Sequence, residues 1–301
     1  MQLQSDIKIQ EYSVIGNKIH AKDLQKKKPV LTLSVFQDEI EASIIDTDGY
    51  KVYLSAIYAS PQRKFSQNES IFLLNDFIHR FHLNTYSFRS IHLIHGSPFY
   101  TFCPAEFYIP EKKYILLNYV HPLPSDVRIL TNDFQNIKIL FAISQPYYNN
   151  LLQIFPSAQI RHSSTSMLYL FHYHPLLTHS KLWIHLHPNY IEIIAKDHKQ
   201  FLFYNTFDTS TSLDILYYCL FCIEQLQYHP HTTDIFLTGN ISTQHSIVQL
   251  LQKYVHSIQI VHHHPKLHIL PIDTSLLSHH LFITLNHHLC VSYPESTKAE
   301  K

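Results

Sequence analysis

The chain has 301 residues, of which 45% are hydrophobic and 15% are charged, and its 23 basic residues balance 23 acidic ones. This composition excludes an intrinsically disordered chain, which combines low hydrophobicity with high net charge, and it argues against a strongly electrostatic nucleic-acid-binding protein. The length exceeds that of one ordinary domain, so we expect two.

The first half of the chain alternates strand-like and helix-like segments. Residue periodicity predicts three strands joined by tight turns, then a helix and a further strand: 30–36, 40–46, 51–58, 69–81 and 91–96. The dipeptide Asp48-Gly49 marks the second turn, because it favours the positive φ angles of a hairpin. The last of these strands ends at Gly96.

The second half repeats this order, with predicted elements over 181–187, 190–196, 201–207, 212–228, 234–239, 245–255 and 257–261. Leu31 corresponds to Leu182 at an offset near 150, and Gly96 to Gly239 at an offset of 143. A shared order at one offset indicates duplication, although such patterns also recur by chance in α/β proteins. The helix over 212–228 is apolar almost all round, which predicts burial, and Ser212 or Asp214 could cap it.

The stretch between the repeats is predicted to be an inserted piece. It holds apolar runs at 114–120, 127–134 and 137–144, a helix near 146–155 with Pro146 in its first turn, and a short helix near 165–173. The predicted organisation is therefore a loosely held lead-in, a first half with its insertion, a second half and a tail: 1–29, 30–176 with about 100–165 inserted, 177–292 and 293–301.

Glycine is scarce, with four residues that lie far apart: Gly16, Gly49, Gly96 and Gly239. Phosphate-binding loops need clustered glycines, because the backbone must turn with positive φ and approach the phosphate closely. A dinucleotide-binding fingerprint, a P-loop and a G-x-S-x-G nucleophile elbow are all absent. The sequence thus excludes the glycine-rich nucleotide-binding classes.

Each half of the chain is predicted to contain three antiparallel strands followed by a helix and a further strand. This is the element order of a ribonuclease-H-like half. The layout resembles the actin-like ATPase superfamily, and in particular the bacterial cell-division and type IV pilus actin homologues. Residues 201–207, the helix segment from Leu216 to Leu226, and 235–239 resemble the bacterial family catalogued as domain of unknown function 3822. This resemblance covers roughly residues 30–262. It implies an α/β fold of two ribonuclease-H-like halves and no assigned activity.

The superfamily's nucleotide-binding turns are only partly matched. Asp38 occupies the first phosphate turn, but Glu39 follows it instead of glycine, and Pro188 removes an N–H donor from the second turn. Gly239 and Asn240 retain half of the adenosine motif. The resemblance therefore implies Asp38, Gly239 and Asn240 as the cleft candidates, with no resident cofactor and no catalytic residues.

Histidine is abundant, with 25 residues, 18 of which follow residue 170. The pairs His172-x-His174 and His185-x-His187 are spaced two apart, so on a strand both rings of a pair would project from one face. Further candidates are the runs at 262–264, 279–280 and 287–288. Imidazole is a common metal ligand, but no carboxylate or cysteine sits at ligand spacing in the sequence, so we expect no metal site. We expect these residues to become charged together below neutral pH, changing solubility and stability between about pH 7 and 5.5. Cys219 and Cys222 lie within an apolar helix, which favours buried thiols over a redox or zinc motif.

The leading hypothesis is a non-catalytic actin-like scaffold that acts through a protein partner. The sequence identifies neither that partner nor the oligomeric state. The alternative is a diverged nucleotide-binding protein that uses Asp38 for Mg²⁺ and the Gly239 region for adenosine. A third hypothesis, a nucleic-acid accessory protein, draws on 20 Tyr and 19 Phe but conflicts with the neutral net charge. The N-terminal sequence lacks a signal-peptide pattern, no segment predicts a membrane span, and four cysteines form no disulfide framework, so we expect a cytoplasmic protein.

Overall fold

Two mixed sheets and one smaller antiparallel sheet form the framework of the protein. The structure is a computed structural model and describes residues 8–15, 27–177, 182–197, 200–241, 246–268 and 279–292. The first sheet has the order β1-β4-β3-β2-β5-β9, with strands Gln10–Ile15, Lys51–Ala59, Glu39–Asp46, Val30–Val35, Ser90–His95 and Gln159–His162. The second sheet has the order β12-β11-β10-β13-β14, with strands Gln200–Asp208, Tyr190–Asp197, Leu182–Leu186, Asp234–Gly239 and Ser257–Ile260. The predicted α/β class is thereby confirmed.

The inserted segment builds the third sheet, in the order β6-β8-β7, from strands Tyr100–Pro104, Ile137–Ser144 and Val127–Phe134. The helices are α1 Gln67–Arg80, α2 Lys113–Val120, α3 Gln145–Ile154, α4 Ser163–Tyr173, α5 Ser212–Gln225, α6 Ser246–Leu251 and α7 Phe282–Ser292. The apolar run at 114–120 is therefore helical. Part of the predicted loose lead-in is strand β1, which pairs antiparallel with β4 and covers what would otherwise be an open sheet edge.

The predicted repeat of element order is confirmed, because β4-β3-β2-β5-β9 has the same order and directions as β12-β11-β10-β13-β14. The proposed match of Gly96 to Gly239 is wrong by one residue. Val35 pairs with His95, whereas its counterpart Leu186 pairs with Gly239. The two glycines therefore occupy positions one residue apart in the two halves. A Cβ on Gly96 would meet Phe36, whereas a Cβ on Gly239 would meet the backbone of Leu186, so each glycine avoids a different close contact.

Local sequence signals set most turns and helix starts, with two corrections. The β3–β4 turn forms as predicted, but its positive φ belongs to Tyr50 and not to Gly49, because Asp46 accepts the N–H groups of Asp48 and Gly49 and thereby shapes the turn. The N-cap of α5 is Thr211, and Asp214 takes the third helical position of a capping box.

Helices α4 and α7 lie between the two halves and form the centre of the molecule. Residues 163–171 of α4 are all buried, and α4 packs against α7. The central cluster joins both sheets through Phe36, Trp183 and Phe282, each fully or almost fully buried. Burial of these rings, each contributing on the order of 1.5–3 kcal/mol, holds the two central hairpins against one another.

Helix α5 is not buried all round, which corrects the prediction from its composition. One face, with Cys219 and Ile223, packs on the second sheet, whereas Leu213, Tyr217 and Phe221 are 65%, 61% and 42% exposed. The sequence could not distinguish these faces because both are apolar. Among the described helices, none has the length and apolar character needed to cross a membrane.

Candidate functional site

The turn between β2 and β3 faces the turn between β10 and β11, and the two have the same backbone geometry. In the first, Phe36 N–H donates to the Glu39 carbonyl at 2.9 Å, and in the second, His187 N–H donates to the Tyr190 carbonyl at 2.9 Å. Asp38 and Asn189 occupy equivalent positions, 151 residues apart. These turns correspond to the predicted phosphate positions, so their contacts decide what the cleft between the halves can bind.

Asp38 joins the two turns directly. Its Oδ2 accepts the backbone N–H of Asn189 at 2.8 Å and the side-chain amide of Asn189 at 3.0 Å. The same amide also donates to the Ser60 carbonyl at 2.9 Å. Phosphate-binding turns present free backbone N–H groups to the ligand. Here the protein's own carboxylate takes that donor, and burial together with the charge of Glu39 raises the pKa of Asp38 to about 7.

Glu39, fully buried, lies between two histidines. Its Oε2 is 2.7 Å from His187 Nδ1, and its Oε1 is 2.6 Å from His280 Nε2. Burial opposes ionisation of Glu39, but His280 and His187 outweigh it and hold its pKa below the ordinary value. Burial likewise opposes the charge of His187, but the acidic neighbours Glu192 and Glu39 raise its pKa. The Glu39–His187 contact is thus an ion pair between the halves.

Glu41 and Glu192 add two further buried carboxylates at equivalent positions of the two hairpins. Glu192 accepts a hydrogen bond from Ser163 at 2.9 Å, and Glu41 accepts one from the Thr284 hydroxyl. Ser163 begins α4 and Thr284 lies in α7, so each central helix contacts one hairpin through a hydroxyl. Burial, reinforced by the charge of Glu39, raises the pKa of Glu41.

Gly239 and Asn240, the predicted adenosine side of the cleft, lie against the other end of the second turn. Asn240 N–H donates to the Leu186 carbonyl at 2.7 Å, and the Gly239 carbonyl is 3.0 Å from His279 Nδ1. A Cβ on Gly239 would lie 2.1 Å from the Leu186 carbonyl oxygen. The segment from Leu186 to Asn189 therefore contacts both predicted parts of the site, Asp38 through Asn189 and Gly239 through Leu186.

Sequence reasoning found Asp38 but missed most of its surroundings. In the sequence, Glu39 stands only as the residue that replaces glycine in the first turn, and His280 only as a member of one of several paired histidines; Glu41, Asn189 and Glu192 are not singled out as members of a site. The expectation that no carboxylate sits at ligand spacing holds along the sequence and is wrong in space, since Glu39 Oε2 lies 2.7 Å from His187 Nδ1 although the two residues are 148 positions apart. The detectable signals were the pair His185-x-His187 and the equivalence of Glu41 with Glu192.

The histidines of the two spaced pairs and the two paired cysteines are buried, except His172, which is half-buried. His185 Nδ1 is 2.7 Å from the Thr238 hydroxyl and its ring centroid is 4.7 Å from that of His187. His172 lies on α4, which matches the helix predicted near 165–173, so the shared strand face applies only to the pair His185 and His187. Cys219 and Cys222 are buried and unoxidised, as predicted. Burial raises the pKa of Cys222 to about 12, which removes the thiolate that redox or zinc chemistry needs.

Solved structures share this architecture. A protein from Bacteroides thetaiotaomicron VPI-5482, described as having an actin-like ATPase fold and unknown function, matches with a TM-score of 0.67 and 22% identity over 79% of this chain and 93% of that one. A chain of the PilM–PilN type IV pilus biogenesis complex matches with a TM-score of 0.57 and 11% identity, covering 88% of this chain and 99% of that one. These similarities establish the actin-like ATPase fold.

No curated protein matches the sequence. The family described as "Protein of unknown function (DUF3822)" matches residues 20–258, which is most of the chain and includes both hairpins of the site. With the fold and the predicted resemblance in agreement, the chain belongs to the DUF3822 family.

Proposed function

We propose that this protein is a non-catalytic member of the actin-like architecture that acts as a scaffold or interaction module for a protein partner. The observation that carries the proposal is that side chains of the first turn fill the space between the two turns. Asp38 takes the backbone N–H of Asn189, and Glu39 lies between His187 and His280. A phosphate in this position would lose the Asn189 N–H as a donor and meet the charge of a buried carboxylate.

Exposed apolar side chains support the partner part of the proposal. Leu213, Tyr217 and Phe221 recur every four residues along one side of α5, which we call the outer α5 face, and the rings of Tyr217 and Phe221 stack at 6.0 Å between centroids. Contiguous exposed apolar surface on a monomer marks an interaction site more often than scattered single residues do. Aromatic residues are also enriched where protein partners bind.

A groove beside the first turn offers a second surface. It has a volume of about 400 Å³ and lies between the first sheet and the inserted sheet, with Phe36, Gly96, Pro98, Val127 and Tyr147 in its walls. Phe36 lines this groove and also contacts the ring of His187, whereas Asp38, Glu39 and His187 do not line it. One solved protein with a similar fold, PilM, occurs in a complex with PilN, which agrees with use of this fold in protein assembly.

Isothermal titration of the full chain with Mg²⁺-ATP and Mg²⁺-ADP tests the closed cleft. The proposal requires no saturable binding, and micromolar affinity for either nucleotide would refute it. The alternative of a diverged nucleotide-binding protein then requires Asp38→Ala to abolish that binding. Retained binding in Asp38→Ala would place the nucleotide outside the two turns.

Affinity capture from an extract of the source cells, followed by mass spectrometry, tests the partner. Wild type is compared with a double variant of the outer α5 face, Tyr217→Ser with Phe221→Ser, and with the control Tyr119→Ser. Tyr119 is 89% exposed on α2, so its replacement changes a separate surface. A partner lost only with the double variant supports the outer α5 face, and equal recovery with all three proteins removes that face from the proposal.

A further inference from the structure

Two overlapping groups of potential metal ligands share Glu39. One consists of Asp38, Glu39 and His187, and the other of Glu39, Glu41 and His280; within each group the ligand atoms lie within 4.8 Å of one another. The three acidic residues are fully buried, and His187 and His280 are 4% and 8% exposed. Mixed carboxylate and imidazole ligands are typical of sites for zinc and other divalent first-row transition metals.

The spacing of these groups is close to that of a metal site. Ligand atoms at about 2.0–2.2 Å from one tetrahedrally coordinated ion lie about 3.3–3.6 Å apart, so the hydrogen-bonded pairs here would separate by about 1 Å or less to admit an ion. Glu39 Oε2 is 2.7 Å from His187 Nδ1, and Glu39 Oε1 is 2.6 Å from His280 Nε2. Because each oxygen of Glu39 belongs to a different group, the same side chains can hold one ion or a pair bridged by this carboxylate.

Unsatisfied buried atoms give a second, independent indication. Asp38 Oδ1 and Glu41 Oε1, one from each group, have no hydrogen-bond partner among the described residues. A buried acceptor without a partner costs about 1–3 kcal/mol, and more when it is charged. In the described part of the chain, no lysine or arginine forms an ion pair with Asp38, Glu39 or Glu41. The positive charge beside Glu39 comes from His187, and a divalent cation would satisfy both oxygens and replace the proton that pairs His187 with Glu39.

The surroundings of His187 resemble the support of a metal-ligating imidazole. Its Nε2, on the side away from Glu39, is 3.9 Å from Glu192 Oε2, and Ser163 holds the other oxygen of Glu192. The ring of Tyr190 stacks on the imidazole at 4.1 Å with an 8° interplanar angle, which fixes the ring plane. Ligating histidines commonly have a carboxylate behind the second ring nitrogen, where it orients the ring.

The geometry points to a buried divalent transition-metal site centred on Glu39, with ligands from Asp38, Glu41, His187 and His280. The ion would join the first turn, the second turn and the residues before α7, and it would need no nucleotide. The full burial of the ligands matches a closed, structural site more closely than a catalytic site with an open position.

The test uses the full chain, stripped of metal by a chelator and titrated with Zn²⁺ and separately with Mn²⁺. We expect saturation at one or two equivalents and a rise in melting temperature, because an ion that binds only the folded state stabilises it. X-ray absorption at the zinc edge of the wild type should show imidazole nitrogen and carboxylate oxygen ligands without sulfur. This measurement needs no variant, so the proposal stays testable if substitutions prevent folding.

Two variants and one control locate the ion. Glu39→Gln keeps the shape of the side chain, and it should weaken binding by more than the roughly 10–100-fold expected for Glu192→Gln behind the ligand. The control replaces His79 and His82, an exposed pair with ring centroids 6.3 Å apart, by alanine and should leave the affinity unchanged. The proposal is overturned if the stripped wild type takes up no stoichiometric metal, if Glu39→Gln binds as tightly as wild type, or if the control loses the binding. None of these outcomes bears on nucleotide binding, which is tested separately.

Discussion

Replacing Gly239 with alanine should destabilise the protein by about 2–5 kcal/mol. Gly239 has φ +90, a region that costs an L-residue about 1–2 kcal/mol. The new Cβ would lie 2.1 Å from the Leu186 carbonyl oxygen and 2.6 Å from the Leu186 nitrogen, and neither backbone atom can rotate away. Separating β10 from β13 adds about 1–3 kcal/mol of overpacking and weakens the Asn240–Leu186 hydrogen bond.

The other described glycines provide matched controls. Gly49 is exposed, and a Cβ there would meet only Asp46 at 3.3 Å, so Gly49→Ala should stay within about 0.5 kcal/mol of wild type. Gly96→Ala should fall between the two, because its Cβ would meet the Phe36 ring at 2.8 Å and the Phe36 Cα at 3.1 Å, which are less close than the contacts at Gly239, and Gly96 has no positive φ. The predicted order of destabilisation is therefore Gly239, then Gly96, then Gly49.

Urea denaturation at constant m value measures this order. A loss of about 2–5 kcal/mol is a large part of the roughly 5–15 kcal/mol that stabilises a typical protein, so the Gly239 variant should unfold at a clearly lower urea concentration. If Gly239→Ala is no less stable than Gly49→Ala, the close approach of β13 to Leu186 is not what requires glycine. Gly239 would then have to be explained by a ligand, as the nucleotide-binding alternative requires.

Three further predictions concern the interior. Burial lowers the pKa of His162 and of His288 to about 4, so between pH 6.5 and 4 the unfolded chain binds protons that the folded chain does not. At pH 5.5 each should cost on the order of 1 kcal/mol, and urea midpoints equal at pH 7.5 and 5.5 would contradict this. All four cysteines are buried, so a thiol reagent should modify none rapidly in the folded protein and four in denaturant, and fast reaction of the native chain would disprove their burial. Phe282→Ala should cost about 3–5 kcal/mol because the ring is fully buried, whereas Phe72→Ala, at a ring that is 59% exposed, should change stability by less than about 0.5 kcal/mol; equal losses in urea denaturation would contradict the central packing of α7.

The pH prediction revises the expectation drawn from histidine content. Composition alone suggested that 25 histidines would become charged together. In the structure, burial lowers the pKa of several of them, including His92, His162 and His288, so these gain protons only as the chain unfolds. The expected loss of stability in acid remains, but its cause is the proton uptake of the unfolded chain.

The sequence by itself determined the class of fold, the order of the elements and the repeat. These depend on local periodicity, and helix α1 and strands β10 and β11 accordingly lie within one or two residues of their predicted positions. The scarcity of glycine also excluded the glycine-rich phosphate loops without any structure. Asp38 could be singled out because it lies where the resemblance to the actin-like ATPase superfamily places the first phosphate turn.

Only the tertiary structure decided what surrounds Asp38 and which face of α5 meets solvent. Glu39 contacts His187 and His280, which are 148 and 241 residues away, and no local pattern encodes a contact of that separation. The two sides of α5 are both apolar, so packing against the second sheet, and not composition, leaves Tyr217 exposed. The charge state of Glu39 and its neighbours depends on the distances between them in space, and these distances are set when the two hairpins fold against one another.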